Sequence, residues 1–119
     1  MSDAPSAGRI EGRDHRLPVR VYYEDTDFTG LVYHGAYVRF FERGRSDFLR
    51  LAGVKHAELA ERSDPLAFAV TRLDIAFRRA ARIDDELVVH TTYEAVRGPR
   101  LFVGQQITRN SELFAAAKV

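Results

Sequence analysis

A chain of 119 residues with 45% hydrophobic residues, eight Phe and five Tyr is long enough for one domain with a hydrophobic core. Its 18 basic and 17 acidic residues leave a formal net charge of +1, so no overall charge favours nucleic acid or an anionic membrane as a partner. The absence of cysteine excludes disulfides and thiolate catalysis, and no run approaches the roughly 18 apolar residues that membrane insertion requires.

The first 15 residues are predicted to form a flexible tail, because Pro5, Gly8 and Gly12 lie among small and charged residues. The folded domain is therefore expected to occupy residues 16–119. The tail has no apolar stretch of the kind found in secretion signals, and the lack of cysteine is compatible with a reducing compartment. These observations predict a cytoplasmic protein.

A short strand is predicted for residues 18–23, where Val19 and Val21 alternate with charged and polar residues. Pro18 has no N–H to donate, so one edge of the strand is expected to be unpaired at that position. An acidic turn at residues 24–27 follows the strand. The strand should therefore end where the acidic residues begin.

A long amphipathic helix is predicted for residues 34–52, because apolar residues recur there at intervals of three and four with charged residues between them. Gly53 is expected to be the C′ residue, since glycine readily adopts the left-handed conformation that ends many helices. Gly44 lies inside the helix at a propensity cost of about 1 kcal/mol relative to Ala. This cost predicts that the backbone of a wrapped sheet packs close to the helix at Gly44.

After the helix, residues 54–62 are expected to be a short helical or irregular segment, with a turn at residues 63–65. A change of parity in the apolar pattern then predicts a strand at residues 66–77 with a β-bulge near residues 71–72. Three more strands are expected at residues 87–96, 101–107 and 113–119, with turns at residues 97–100 and 110–112. The alternation is still running at Val119, so the last strand is expected to be truncated.

The order of these elements predicts an α+β fold in which a curved antiparallel β-sheet wraps around a long central α-helix, as in hotdog folds. The junction between first strand and helix reads YYEDTDFTGLVYHGAY at residues 22–37, and the helix continues FFERGR at residues 40–45. This pattern resembles that of Tol-Pal-associated acyl-CoA thioesterases, a branch of the 4-hydroxybenzoyl-CoA thioesterase family. The resemblance spans residues 18–119.

The resemblance implies a thioester hydrolase that converts an acyl-CoA into a free acid and coenzyme A without a cofactor. It also implies a homodimer or homotetramer with active sites between subunits. The Tol-Pal association suggests an envelope or lipid-synthesis protein as a further partner. Two alternatives stay open: a hotdog dehydratase or hydratase that acts on an acyl thioester with His34 as the base, and a non-catalytic acyl-binding or interaction module.

The junction itself suits thioester cleavage, because the unsatisfied N–H groups of a helix start can stabilise an oxyanion while a nearby carboxylate attacks the carbonyl or activates water. Asp27 corresponds to the carboxylate that the family uses, although an aspartate there could simply stabilise a turn. The backbone N–H of His34 matches the family's carbonyl-polarising position, and its imidazole could donate a proton. Tyr23 could orient Asp27 or the acyl group, although packing explains it almost as well.

Other residues near the junction are expected to have supporting roles. Gly30 should permit the turn between Asp27 and the helix, and Tyr33 is expected to form part of the substrate-binding wall. Glu24 and Asp25 are expected to be solvated, because neighbours at a strand end point to different faces.

Glu42 is a second carboxylate to weigh, since another hotdog branch places its carboxylate on the central helix. We expect an ordinary ion pair with Arg39 or Arg45 instead. The phosphates of coenzyme A predict basic residues at the pocket rim, and the candidates are Arg78, Arg79 and Arg82. Such clusters are also common in solvated loops. No metal site is expected, because the four histidines lack metal-ligand spacing.

Overall fold

The structure, a computed structural model, describes residues 7–53 and 69–119. The elements are β1 (Arg9–Glu11), β2 (Asp14–Arg20), a 3₁₀ turn (Tyr23–Asp25), α1 (His34–Leu51), β3 (Asp74–Phe77), β4 (Glu86–Arg97), β5 (Arg100–Arg109) and β6 (Glu112–Lys118). In these ranges the helix packs on a single antiparallel sheet of six strands in the order β1-β2-β4-β5-β6-β3. This arrangement confirms the predicted α+β hotdog architecture.

The hydrophobic core lies between α1 and one face of the sheet. Phe40 and Phe41 follow Tyr37 by three and four residues along α1, so both lie on the same helix face as Tyr37. All three side chains are buried. The strands contribute every second residue to the same core, as their pleat requires. Members from the sheet include Leu17, Val19, Leu87, Val89, Ile107, Ala115 and Ala117. Burial of each large apolar side chain contributes about 1.5–3 kcal/mol, so this face sets the position of α1 on the sheet.

The local signals around α1 were predicted well. The helix ends at Leu51, and Gly53 follows with a φ of +93° and donates its N–H to the carbonyl of Arg50. A Cβ atom at Gly44 would lie 2.8 Å from both Thr91 Oγ1 and Val89 Cγ1. The lack of a side chain at Gly44 therefore leaves room for side chains of β4, whereas the sequence predicted that the backbone of the sheet lies close.

The amino-terminal boundary differs from the prediction. Residues 9–15 were expected to belong to a flexible tail, whereas they form β1, a two-residue turn and the first two residues of β2. His15 is fully buried, in phase with Leu17 and Val19 on the inner face of β2. The period-two pattern of the strand therefore begins at His15, and the polar character of this residue concealed it.

Two other predicted strands also shift. The strand expected at residues 18–23 is β2, which ends at Arg20, and Tyr23 belongs to the 3₁₀ turn. β1 pairs only with residues 14–16 of β2, so Pro18 lies beyond the part that β1 covers. The strand expected at residues 66–77 is limited to β3 among the described residues, and residues 69–73, including the proposed bulge, are not strand.

The remaining predictions for this part of the chain concern connections. The segment at residues 54–62 and the turn at residues 63–65 lie outside the described residues. Both predicted hairpin turns are confirmed, with Gly98 at φ +61° in the first. In the second, Asn110 and Ser111 have φ values of +51° and +68°, as a type I′ turn requires. Within the described ranges, no helix has the length and apolarity needed to cross a membrane.

Candidate active site

A tight loop, here named the Asp27 loop and comprising residues 26–32, joins the 3₁₀ turn to the start of α1. Its base is an isolated antiparallel bridge between Thr26 and Val32. Inside the loop, the N–H of Asp27 donates to Leu31 O over 2.9 Å and the N–H of Gly30 donates to Asp27 O over 3.1 Å. Gly30 has a φ of +80°, which is the glycine-dependent turn geometry predicted from the sequence.

The Asp27 carboxylate is exposed at the end of this loop and is held in one orientation by Thr29. Its Oδ1 atom accepts hydrogen bonds from Thr29 Oγ1 at 2.5 Å and from Thr29 N at 2.9 Å. These two donors, the hydroxyl first, lower the pKa of Asp27 below its ordinary value. The side chain is therefore an ionised carboxylate at neutral pH, as a nucleophile or a general base must be.

The hydrogen bond from the Thr29 hydroxyl to Asp27 should affect how enzymatic activity depends on pH. Replacing Thr29 with Val removes the strongest hydrogen bond to Asp27, so the pKa of Asp27 should rise towards its ordinary value. If Asp27 acts as the nucleophile or the general base, it works only when deprotonated, so the pH below which kcat/KM falls should be higher in Thr29→Val than in the wild type. Measuring kcat/KM from pH 3 to pH 8 tests this shift. Superimposable acidic limbs would contradict it.

At the start of α1 the N–H of Ala36 donates to Tyr33 O over 3.0 Å, whereas the two preceding residues have no acceptor within the helix. Tyr33 is the N-cap residue and makes no capping hydrogen bond with its side chain, and no acidic residue occupies the first turn. The first N–H groups of an α-helix have no acceptor within the helix, so those at His34 and Gly35 can serve a ligand. The exposed His34 ring stacks on Phe77 with 4.3 Å between ring centroids and 23° between planes. This contact ties the imidazole to β3.

Asp25 is the clearest correction to the sequence-based site. It was expected to be solvated, but it is only 3% exposed. Its Oδ2 atom accepts from Tyr22 N at 2.9 Å, and its Oδ1 atom accepts from Arg39 Nη2 at 3.0 Å. The adjacent Glu24 is exposed, as predicted. The three-residue spacing of Tyr22 and Asp25 is that of a capping box, and it could have indicated the hydrogen bond between them. The contact with Arg39 had no such local signal, because Arg39 lies on α1.

The two predicted tyrosines lie in different environments. Tyr23 is 83% exposed, and the hydrogen bonds to the Asp27 carboxylate come from Thr29. The role of Tyr23 in orienting Asp27 therefore stays a prediction. Tyr33 is partly buried, and its hydroxyl accepts from Arg39 Nη1 at 2.7 Å, while its place in the substrate-binding wall stays a prediction. Thr29 was missed by sequence reasoning, although an Asp followed two residues later by Thr is a common turn signal.

The three arginines predicted at the rim separate in the structure. Arg82 forms a backbone bridge with Leu31, so it lies beside the Asp27 loop. Arg79 makes an ion pair with Glu112, with 2.9 Å between Nε and Oε1. Arg78 donates its backbone N–H to Phe114 O and has an exposed side chain. Arg82 is thus the arginine of this set that the structure brings to the loop.

Glu42 does not pair as expected. Its Oε1 atom accepts from Ser46 Oγ at 2.7 Å, one helical turn later. Arg39 turns to Asp25, and Arg45 donates to Gln105 Oε1 at 2.9 Å. Across residues 7–53 and 69–119, no three His, Asp or Glu side chains are grouped closely enough to hold a metal ion.

Comparison with known families decides the assignment. The family model of the thioesterase superfamily matches residues 29–115. The chain belongs to the thioesterase superfamily. The matched residues include Thr29 and Gly30 of the Asp27 loop and the whole of α1. The fold prediction and the assignment to a family of enzymes therefore agree.

Among the relatives, the acyl-CoA thioesterase YbgC of Haemophilus influenzae is 43% identical over 103 residues, covering 87% of this chain and 75% of the relative. The acyl-CoA thioester hydrolase YbgC of Escherichia coli O6:H1 is 44% identical over 93 residues, covering 77% of this chain and 67% of the relative. A solved structure from Bartonella henselae, described as a "probable thioesterase", has a TM-score of 0.85 and 41% identity, covering 88% of this chain and 86% of the other.

The fold extends to more distant thioesterases. The structure of a 1,4-dihydroxy-2-naphthoyl-CoA thioesterase from Synechocystis has a TM-score of 0.78 at 22% identity, covering 88% of this chain and 77% of the other. At that identity the similarity supports the shared fold alone.

Proposed function

We propose that this protein is an acyl-CoA thioesterase that hydrolyses an acyl-CoA thioester to a free acid and coenzyme A, with Asp27 as the catalytic residue. The observation that carries the proposal is the ionised, exposed carboxylate of Asp27 on a tight loop before an uncapped helix start, in a member of the thioesterase superfamily. The two YbgC relatives are named for this acyl-CoA reaction.

The proposed chemistry needs only groups of the protein and water. The N–H groups at His34 and Gly35 polarise the thioester carbonyl, which raises the susceptibility of its carbon to attack. Asp27 then either attacks that carbon to form a mixed anhydride, which water hydrolyses, or removes a proton from an attacking water. In both routes the C–S bond breaks, the thiolate leaves as coenzyme A after protonation, and one water is consumed. No cofactor is required.

Substrate binding is assigned to residues around the same loop. Tyr33 and Gly30 line the acyl side, and Tyr23 contacts the acyl group or the Asp27 carboxylate. Arg82, which is exposed beside Leu31, is placed to meet a phosphate of coenzyme A, with Arg78 as a second contact. Arg79 contributes less, because Glu112 already pairs with it.

A panel of aliphatic and aromatic acyl-CoAs tests the activity. Release of free thiol from at least one substrate, with no change in double-bond absorbance, is the expected result. An absorbance change without thiol release would instead identify a dehydratase or hydratase. No turnover of any substrate by the folded oligomer would favour an acyl-binding or interaction module and would overturn the proposal.

The assembly is proposed to be a homodimer or a homotetramer that consists of two such dimers, with each site completed by a second subunit. The Asp27 loop is open within one subunit: Phe28 is fully exposed and Tyr23 nearly so. β3, which carries the Phe77 contact to His34, is an end strand of the sheet formed by the described residues. An end strand leaves backbone groups free to pair with another chain.

Dilution should therefore lower both stability and activity, because folding and association are linked in such oligomers. We expect specific activity to fall at nanomolar subunit concentration and light scattering to report at least a dimer at micromolar concentration. Adding excess Asp27→Asn protein to dilute wild type is a suitable control. In hybrid dimers the variant subunit still provides the second wall of the wild-type site, so activity should recover. A monodisperse monomer with full activity would contradict the shared site.

A cytoplasmic location and a link to the Tol-Pal envelope system complete the proposal. The support is the motif at residues 22–45, which resembles that of Tol-Pal-associated thioesterases. An envelope or lipid-synthesis protein is the expected protein partner. Cross-linking in living cells, followed by identification of the attached proteins, tests this part.

A further inference from the structure

We infer that Asp25 and Arg39 are positioning residues: their ion pair fixes the Asp27 loop against the start of α1, and turnover depends on it although neither side chain contacts substrate. The inference rests on the proposed catalytic role of Asp27. It assigns a function to a buried carboxylate that the thioester chemistry does not use. Asp25 precedes Asp27 by two residues, so the placement of one restricts the placement of the other.

Asp25 uses both of its carboxylate oxygens within the protein. Oδ2 accepts from the backbone of Tyr22, and Oδ1 accepts from Arg39. A buried carboxylate is costly unless both charge and hydrogen bonds are satisfied, so these donors determine where the side chain can lie. The Asp25 carbonyl also accepts the N–H of Tyr33 at 3.4 Å.

Arg39 connects the two elements that the active site must bring together. Its guanidinium donates through Nη2 to Asp25 in the 3₁₀ turn and through Nη1 to the Tyr33 hydroxyl at the helix N-cap. The same guanidinium lies 5.5 Å from the centroid of the Tyr33 ring. A planar group with several fixed donors can hold both partners at once, which lysine cannot do. Arg39 itself is part of α1, so the helix start is the reference for the loop.

The Asp27 loop has two anchors among the described residues. Its return arm is held by the N–H of Val32, which donates to Ala81 O at 2.8 Å, and by the bridge from Leu31 to Arg82. Its outgoing arm, which carries Asp27, follows directly from the Asp25 contacts and is joined to the return arm by the Thr26–Val32 bridge and by the N–H of Asp27, which donates to Leu31 O. Loss of the Asp25 contacts removes the restraint on the 3₁₀ turn, so the outgoing arm is then held through the return arm alone. A displacement of about 1 Å at a reacting group can cost about 100-fold in rate.

Loss of the ion pair should lower stability as well as turnover. Asp25 is buried, whereas the Arg39 side chain is half exposed. Removing one partner of a buried pair leaves the other partner unpaired and lowers the free energy of unfolding, whereas replacing both partners is often tolerated. Turnover of the variants must therefore be compared at equal amounts of folded protein.

The test compares Asp25→Asn and Arg39→Met with two controls, Glu24→Gln and Arg43→Met, which remove the same charges from exposed neighbours. Asparagine has one acceptor oxygen where Asp25 uses two, so one contact must be lost. We expect kcat to fall about 10- to 100-fold in both pair variants with KM within about threefold, whereas both controls stay within about twofold. Arg39→Lys should keep an intermediate kcat.

The double variant and Asp27→Asn make the result decisive. If the residues act as a pair, Asp25→Asn combined with Arg39→Met should lower kcat no further than the more damaging single change. Wild-type kcat in folded Arg39→Met and Asp25→Asn, while Asp27→Asn is inactive, would overturn the positioning role alone. Wild-type turnover by Asp27→Asn would overturn the role of Asp27 and this inference with it. A fall in kcat that matches a loss of folded protein, measured by circular dichroism at the assay temperature, would also overturn it.

Discussion

Replacing Asp27 with Asn should lower kcat by about 10²- to 10⁴-fold while the fold is retained. Asparagine has nearly the same shape, and its amide oxygen can still accept from Thr29, but it is neither a nucleophile nor a base at neutral pH. The carboxylate is exposed and does not contribute to the core, so the loss should be confined to the chemical step. Steady-state release of thiol from the best acyl-CoA measures the effect.

Glu24→Gln is the matched control for this prediction, since it removes a carboxylate three residues away that is exposed and has no assigned role. It should change kcat by less than about twofold, because exposed surface substitutions usually have small effects. Circular dichroism spectra of the two variants should superimpose on that of the wild type. Turnover like that of the wild type in a verified Asp27→Asn preparation would remove Asp27 from the mechanism.

Asp47→Ala should lower the free energy of unfolding by about 3–5 kcal/mol, which is more than we expect for the other variants proposed for this protein. Asp47 Oδ2 is 2.7 Å from Nε2 of the fully buried His15 and accepts from Gly8 N at 2.9 Å. Its Oδ1 atom accepts from Arg50 at 2.5 Å. Removing the carboxylate leaves His15 buried without its partner and detaches the β1–β2 hairpin from α1.

Urea unfolding at one fixed protein concentration measures the change, with Glu86→Ala as the control. Glu86 makes an exposed ion pair with Arg20 at 2.6 Å, and such surface pairs contribute about 0–1 kcal/mol. A small difference between Asp47→Ala and Glu86→Ala would show that the buried cluster does not hold the hairpin.

The pH dependence of stability provides a second readout of Asp47. Burial alone would raise the pKa of this carboxyl, but hydrogen bonds from Gly8, His15 and Arg50 outweigh burial and lower it below 3.8. A lowered pKa gives stability that is present above the ordinary value and is lost as pH falls through the lowered one. The unfolding free energy of the wild type should therefore decrease below about pH 4, and Asp47→Ala should lack this part of the decrease.

Local patterns predicted most of the fold. The apolar stripe of α1, the positive φ of Gly53 and the hairpin turns each depend on a few consecutive residues, so the sequence alone contains the information. The Asp27 loop belongs to the same class, because Gly30 allows its turn. The candidate catalytic carboxylate and the helix start could therefore be placed in order before the structure was known.

The missed features depend on residues far apart in the chain. Asp25 looked solvated because Arg39, which buries and pairs it, lies 14 residues away on α1. His15 looked like part of a tail because its partner Asp47 is 32 residues away. Arg79 looked available for a phosphate because its ion-pair partner Glu112 is distant in sequence, at the start of β6. Polar contacts of this kind follow from packing, and local periodicity does not encode them.

The most direct test of the central claim, that the Asp27 carboxylate cleaves an acyl-CoA thioester, is a single-turnover experiment with enzyme in excess. Wild type and Asp27→Asn are mixed with the same acyl-CoA, and the bound and cleaved fractions are followed by rapid quenching. We predict that Asp27→Asn binds the substrate with nearly the wild-type Kd and leaves the thioester intact at least about 100-fold longer. Cleavage of the bound thioester at the wild-type rate would contradict the account.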